Sequence, residues 1–255
     1  MSMQLTIMGL AGVPMVKPGD DLAAITLAAC ENTGIALQHN DVIVVAQKIV
    51  SKSEGRFVEV ASVTPSERAI ALAAETGKDP RFVEIVLSES RRIVRHRPNL
   101  IVAEHRLGFV MANAGIDHSN VAPDDGSERV LLLPLDPDAS ALALQQQLAA
   151  RTKKRLAVII SDSFGRPWRR GTVGIALGVA GLPSVIDWRG QSDLFGRKLE
   201  VTETGFADEI AAAASLVQGQ AAEATPIVVV RGLSWTAPEA PAAAIVRPPE
   251  HDLFR

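Results

Sequence analysis

Cysteine is almost missing: Cys30 stands alone in a chain of 255 residues. One thiol cannot build a disulfide framework or a cysteine-rich zinc site. Positive charge is not in excess either. The 29 acidic and 26 basic side chains leave a net charge of -3 with histidine neutral. That balance argues against a general nucleic-acid binder, although it leaves room for a local basic site holding a small anion. No apolar run approaches the roughly 20 residues that a bilayer-spanning helix needs. The start, Met1-Ser2-Met3-Gln4-Leu5, has neither a charged region nor a long apolar stretch of the signal-peptide kind. These absences predict a cytoplasmic, soluble protein with no membrane or nucleic-acid partner. Several motifs are missing as well. No G-x-G-x-x-G follows a strand and no G-x-x-x-x-G-K-[ST] occurs, so neither a Rossmann site nor a P-loop is available. There is no G-x-S-x-G elbow and no plausible Cys–His pair, which excludes the common acyl-enzyme hydrolases. The five histidines lack metal-ligand spacing.

What is present is enough apolar material for a large core, 47% of the residues. The pattern predicts strands near 5–8, 41–46, 100–104, 108–112, 156–160, 173–179 and 226–230, with a short apolar run at 131–133. It predicts helices over about 21–32, capped by Asp20 and stopped by Gly34, and from the capping box Thr64-Pro65-Ser66-Glu67 to Gly77. Further helices are expected from Asp79-Pro80 to about Ser90, from Asp138 to about Arg151, and from Phe206 to Gln218, with Gly219 at the end. Helices and strands alternate irregularly, without a βαβ repeat, and no low-complexity linker divides the chain. The expected class is α+β with mixed sheets, in a single catalytic domain covering 1–255.

Two stretches carry chemistry. The apolar run Leu156–Ile160 ends in Asp162, and Gly165-Arg166-Pro167-Trp168-Arg169-Arg170-Gly171 follows. A carboxylate is a hard oxygen ligand for a metal, and guanidinium groups bind phosphate or carboxylate as a bidentate fork. A strand end with a solvated basic turn explains the same residues about as well. The second stretch, Asn113-Ala114-Gly115-Ile116-Asp117-His118-Ser119-Asn120, follows the run Phe109–Met111 and again ends in a carboxylate. Two such aspartates far apart in sequence suggest one shared metal site, whereas one alone is more often a turn residue or a cap. His118 could serve as a general base but reads better as an incidental neighbour.

Weaker signals surround these. Gly12-Val13-Pro14 opens a loop of free N–H groups near Lys17 that could approach a nucleotide, or be only a turn. Gln47 to Arg56 reads as a loop whose Lys48 and Lys52 suit phosphate, with a solvated loop as the bland alternative. Asp187-Trp188-Arg189-Gly190 and Asp193-Leu194-Phe195-Gly196-Arg197 are charged turns with embedded aromatics. They could line a groove or merely anchor a loop. Gln218-Gly219-Gln220 is either an ordinary glycine cap or the root of a loop that closes over phosphates.

Taken in order, Gly19-Asp20-Asp21-Leu22, Ser51-Lys52-Ser53-Glu54-Gly55, Pro65-Ser66-Glu67-Arg68-Ala69, Asn113–Asp117, Leu133-Pro134-Leu135-Asp136-Pro137-Asp138, Ser161–Arg166, Arg169-Arg170-Gly171, Ala207–Ala211 and Val230-Arg231-Gly232 resemble the coenzyme F420-0:γ-glutamyl ligases. The resemblance runs from about Gly12 to Gly232. It implies a homodimer of subunits made of two intertwined parts, with GTP in a groove between them, and the joining of L-glutamate to coenzyme F420-0 with release of GDP and phosphate. Some members carry a further nitroreductase-like domain, which this chain is expected to lack. Two divalent ions, magnesium or manganese, are implied: Asp117 and Asp162 as ligands of one, Ser163 and Gln220 of the other. Asp117, Asp162, Arg169 and Arg170 are the implied catalytic set. Gly12, Val13, Pro14, Gln47, Lys48, Lys52 and Asn120 are implied contacts of the nucleotide. Gln218, Gly219, Gln220, Ala221, Ala222, Glu223, Ala224 and Thr225 form the implied cover. Many members have glutamate where this chain has Gln220, and small hydroxylic residues where it has Gln47-Lys48. A metal-dependent nucleotide phosphohydrolase and a non-catalytic nucleotide-binding regulator are the competing classes.

Overall fold

The computed structural model describes residues 4–118 and 128–253. In chain order the elements are β1 (Thr6–Gly9), α1 (Leu22–Thr33), β2 (Val42–Ala46), α2 (Gln47–Ser53), β3 (Phe57–Glu59), α3 (Glu67–Thr76), α4 (Pro80–Ser88), β4 (Ser90–Arg97), β5 (Leu100–His105), β6 (Val110–Ala112), β7 (Arg129–Leu131), α5 (Pro137–Thr152), β8 (Ala157–Arg166), β9 (Arg169–Ala180), β10 (Ile186–Asp187), β11 (Glu203–Thr204), α6 (Phe206–Gln218) and β12 (Ile227–Arg231). The class is α+β, as the sequence predicts. Among the described residues no helix is long and apolar enough to cross a membrane.

The main sheet has the order β1-β12-β2-β8-β9, with β2 and β8 parallel and the other pairs antiparallel. Over Val42–Ala46, 157–160 and 227–230 its central strands are apolar at every position because both faces are covered. Ile43, Val45, Val158, Ile160, Ile227 and Val229 pack with α1 and α5, through Ala29, Cys30, Leu144 and Leu148. The alternate residues Val42, Val44, Ala157, Ile159, Val228 and Val230 pack with α6 through Ala207, Ile210, Ala211 and Ala214. Burying one such side chain fully contributes about 1.5–3 kcal/mol. The glycines in β9 act by lacking a side chain. A Cβ on Gly174 would collide with the Ala211 carbonyl of α6, and one on Gly178 with the Pro137 carbonyl of α5. The glycine-rich run is therefore a strand against close neighbours, as expected.

The chain between β2 and β8 builds a second apolar cluster. Leu72, Phe82, Val83, Val86, Ile101, Ala103, Ile116 and Val130 join α3, α4, the β4-β5-β6 sheet and the β3-β7 pair. A smaller cluster of Met111, Leu133, Phe164 and Leu177 ties this part to the β8-β9 hairpin.

Several expectations are corrected. The cap of α1 is Asp21, which accepts from the Ala24 N–H at 2.9 Å, while Asp20 instead closes a turn onto the Lys17 N–H at 2.7 Å. The cap of α3 is Ser66, so Pro65 precedes the helix, and Ser66 bonds Glu84 through both its N–H and its hydroxyl. Gln47–Ser53 is a helix and not a loop, half buried by Ile49 and Val50. The charged strand β4, Ser90-Arg91-Arg92-Ile93-Val94-Arg95-His96-Arg97, gave no strand signal. It stands at the edge of its sheet, where charge is tolerated.

Candidate active site

The carboxyl ends of the parallel strands β2 and β8 lie side by side, Ala46 opposite Ser161. The Leu10 N–H donates to the Ile227 carbonyl and the Ala46 N–H to the Pro226 carbonyl, which brings the end of β1 and the start of β12 to the same edge. Loops after β1, β2 and β8 and before β12 therefore converge there, and sheets of this kind bind ligands outside the carboxyl ends of their parallel strands.

Asp162 is not at the end of a strand. β8 continues through it to Arg166, and a register shift between Ile160 and Ser161 precedes it. The extra residue is Leu177 of β9, between Gly178 opposite Ile160 and Ala176 opposite Ser161, so β8 keeps its alternation past Asp162. Asp117 arrives differently. β6 ends at Ala112, and Asn113, Ala114 and Gly115 then take left-handed backbone angles, φ 50°, 52° and 70°. Left-handed geometry costs a residue with a side chain roughly 1–2 kcal/mol. The turn is fixed from both sides: a Cβ on Gly115 would meet Met111 Cε at 2.7 Å, and Asp117 exchanges two 2.9 Å backbone bonds with Leu131.

The two carboxyl groups feel each other. Burial pushes Asp162 up to about 7, and the neighbouring Asp117 charge adds to the rise against relief from the Ser163 N–H and Lys48. Burial raises Asp117 too, opposed chiefly by Lys48 and then by Gln47 and His118. The geometry agrees: Gln47 Nε2 donates to Asp117 Oδ2 at 2.9 Å, and Lys48 Nζ stands 3.5 Å from the same oxygen. Ser51 in turn donates to Gln47 Oε1 at 2.9 Å. Helix α2 thus presents its first turn to the aspartate. One turn further, Lys52 is buried, and desolvation and repulsion from Lys48 both lower its pKa. On the other flank, Gln220 Nε2 donates to Ser163 Oγ at 2.9 Å. Two desolvated carboxylates, the charge of Asp117 adding to the rise of Asp162, are a fitting set for a hard divalent cation. Among the described residues no third His, Cys, Asp or Glu completes a metal cluster with them.

Comparison with known proteins is decisive. The family model for F420-0:γ-glutamyl ligase matches residues 12–232. The chain belongs to this family. It is 47% identical over 255 residues to the coenzyme F420:L-glutamate ligase of Methanothermobacter thermautotrophicus, covering 99% of this chain and 100% of that one. Proteins of the same name from Methanopyrus kandleri and Methanocaldococcus jannaschii are 45% and 39% identical, over 94% and 99% of this chain and 93% and 97% of theirs.

For this member of the γ-glutamyl ligase family, the structure gathers Asp117, Asp162, Gln47 and Lys48 in one place and joins Ser163 to Gln220. Gly12, Val13 and Pro14 follow β1 at the same edge of the sheet. Gly12 has φ 75°, and a Cβ there would lie 2.9 Å from Asn32 Nδ2. The segment from Gln218 to Thr225 also leaves from this edge. Ser161 Oγ donates to Gln218 Oε1 at 3.4 Å, and Glu223 folds back onto the Ala221 N–H at 2.7 Å. Ala221, Ala222, Glu223 and Ala224 are exposed, and Gly219 caps α6 with φ 72°. Asn120 lies outside the described residues. The His118 ring lies tilted against Phe82, ring centroids 4.6 Å apart.

Arg169 and Arg170 are not brought to the aspartates. The stretch expected to be a cationic loop is a β-hairpin, with Arg166 paired to Arg169 across its tip. That tip is four residues beyond Asp162, roughly 13 Å along a strand, and both arginines are exposed. The arginine missed by sequence reasoning is Arg166. It is half buried, and its Nη1 is shielded from solvent without a hydrogen-bond partner. The alternation of β8, which puts residues 162 and 166 on one face, was the available signal.

Proposed function

We propose that this chain is a GTP-dependent ligase that joins L-glutamate by an amide bond to the carboxylate of coenzyme F420-0, the γ-glutamyl ligase chemistry for which its family is named. The supporting observation is the buried pair Asp117, after the turn that follows β6, and Asp162, within β8 just past its pairing with β2, with Lys48 beside Asp117, in a chain of that family. A carboxylate does not react with an amine until one oxygen becomes a leaving group. Its oxygen attacks the γ-phosphorus of GTP, the bond to the β–γ bridging oxygen breaks, and GDP departs with that electron pair. The neutral amine of glutamate then attacks the acyl carbon. The carbon–oxygen bond to phosphate breaks, and phosphate leaves while the amine proton passes to solvent or to the phosphate.

Such a reaction needs positioning and charge neutralisation more than a protein nucleophile. Lys48 and Lys52 would face the phosphates. Asp117 and Asp162 would hold one divalent ion, magnesium or manganese, and Ser163 and Gln220 a second. When bound, these ions supply neutralisation of the phosphate oxygens. Gly12, Val13, Pro14 and the segment Gln218–Thr225 would enclose the nucleotide, and a cytoplasmic homodimer completes the reading. Mass spectrometry of the deazaflavin after incubation with GTP, glutamate and manganese or magnesium tests it. A mass gain of one or more glutamate residues, dependent on every component, is expected. Phosphate release that ignores glutamate would indicate a phosphohydrolase, and absence of turnover a binding protein.

A further inference from the structure

Among the described residues, two buried polar atoms near the candidate site have no hydrogen-bond partner, and they are of opposite kind. Arg166 Nη1 is a donor and Asn113 Oδ1 is an acceptor. Among the described residues the Arg166 side chain has no hydrogen bond or ion pair, whereas Arg56 and Arg106 share Glu89, at 3.2 Å each, although Arg106 Nη2 is likewise shielded without a partner. A shielded guanidinium nitrogen without an acceptor is costly, by about 1–3 kcal/mol or more for a charged group. Arg166 lies two positions beyond Phe164, and Asn113 two beyond Met111, while Phe164 and Met111 belong to one packed cluster. The rings of Phe109 and Phe164 are 6.1 Å apart, edge to face, so β6 and β8 are in contact along this seam. The unpartnered atoms therefore belong to the two segments that meet at this seam, one continuing from β6 towards Asp117 and the other carrying Asp162.

An α-amino acid presents the complementary pair: a carboxylate for a guanidinium, and an amine N–H for an amide oxygen. The nucleotide phosphates already have Lys48 and Lys52 on the α2 side. The geometry points to this seam as the subsite for the acceptor amino acid, with Arg166 receiving a carboxylate and Asn113 Oδ1 accepting from the amine. The inference rests on the ligase reading and adds to it the residues that select glutamate. It moves to Arg166 the carboxylate-binding role that the sequence suggested for Arg169 and Arg170.

The test is the steady-state kinetics of wild type, Arg166→Lys, Arg166→Gln and Asn113→Gly, with glutamate, glutamine and isoglutamine as acceptors. Glycine suits position 113 because the backbone there is left-handed. Thermal melting and calorimetric binding of manganese-GDP check that each variant is folded and holds its nucleotide. Loss of a charge-assisted bond predicts a glutamate KM raised about tenfold to a hundredfold in Arg166→Gln, with the KM for GTP unchanged. Lysine restores only part of the loss, since it lacks the planar fork. Preference for glutamate over at least one of the two amides collapses in Arg166→Gln, and the amide concerned identifies the bound carboxylate. Asn113→Gly raises the glutamate KM by a smaller factor. Active wild type together with unchanged glutamate KM and unchanged selectivity in Arg166→Gln overturns the inference alone. Failure of wild type to form any glutamyl product overturns the ligase reading beneath it.

Discussion

Replacing Asp162 by asparagine is expected to stabilise the metal-free protein while abolishing its activity. The carboxyl is moved from its ordinary 3.8 to about 7, by burial first and the Asp117 charge second. Between about pH 4 and pH 7 the folded state therefore keeps a proton that the unfolded chain releases. Stability must fall as pH rises through that window, and the full penalty is present above it. A displacement of this size corresponds to at most about 4 kcal/mol. Solvent reaches part of the residue, and screening brings the expected figure to about 1–2 kcal/mol. Asparagine keeps the shape and cannot ionise, so it escapes the penalty. For a chain of this length the gain is worth about 3–6 °C in melting temperature. Melting of wild type and Asp162→Asn in EDTA, at pH 5 and pH 8, reads it directly. The mutant should gain more at pH 8 than at pH 5, where the unfolded carboxyl is already ionised and only part of the penalty is present. With manganese and GDP added the order should reverse, because only wild type gains from ligand binding. Equal shifts at both pH values, or a mutant less stable at pH 8 in EDTA, would refute the electrostatic account of the pair.

Gln220→Glu should tighten manganese binding, most visibly without nucleotide, because it adds an anionic oxygen beside Ser163, which Gln220 now meets at 2.9 Å; calorimetric titration with and without GDP checks it. Lysine at both Arg169 and Arg170 should leave kcat and every KM within about threefold, as expected of exposed charges at a hairpin tip. A tenfold rise in any KM would restore them to the binding site.

The elements legible in the sequence were those whose signal is local. Gly34 and Gly77 end α1 and α3 in left-handed geometry, and the apolar runs of β2, β8 and β12 became strands buried on both faces. Asp117 and Asp162 could be paired because each closes an apolar run among small residues. The illegible parts depend on tertiary context. α2 carries polar residues because its first turn serves the site, so it lacks the pattern of a buried helix. β4 is basic since one edge of it is free. The arginine cluster read as a loop because Gly165 and Pro167 are turn residues, yet the hairpin they bend is long. Arg166 differs from Arg169 in sharing the face of Asp162 by the alternation of β8, and in being the one the fold shields.

The strand order of the main sheet also dictates how the chain can assemble. Val42 pairs with Ala157, and β12, near the end of the chain, is the strand between β1 and β2. In the sheet β1 is paired with β12, Thr6 opposite Arg231. During synthesis β1 and β2 leave the ribosome long before the strand that joins them, and the cluster built on α3, α4 and the β4-β5-β6 sheet can condense first. Contacts this distant in sequence make for slow closure. Until β12 docks, two apolar strands remain open to pairing with other chains.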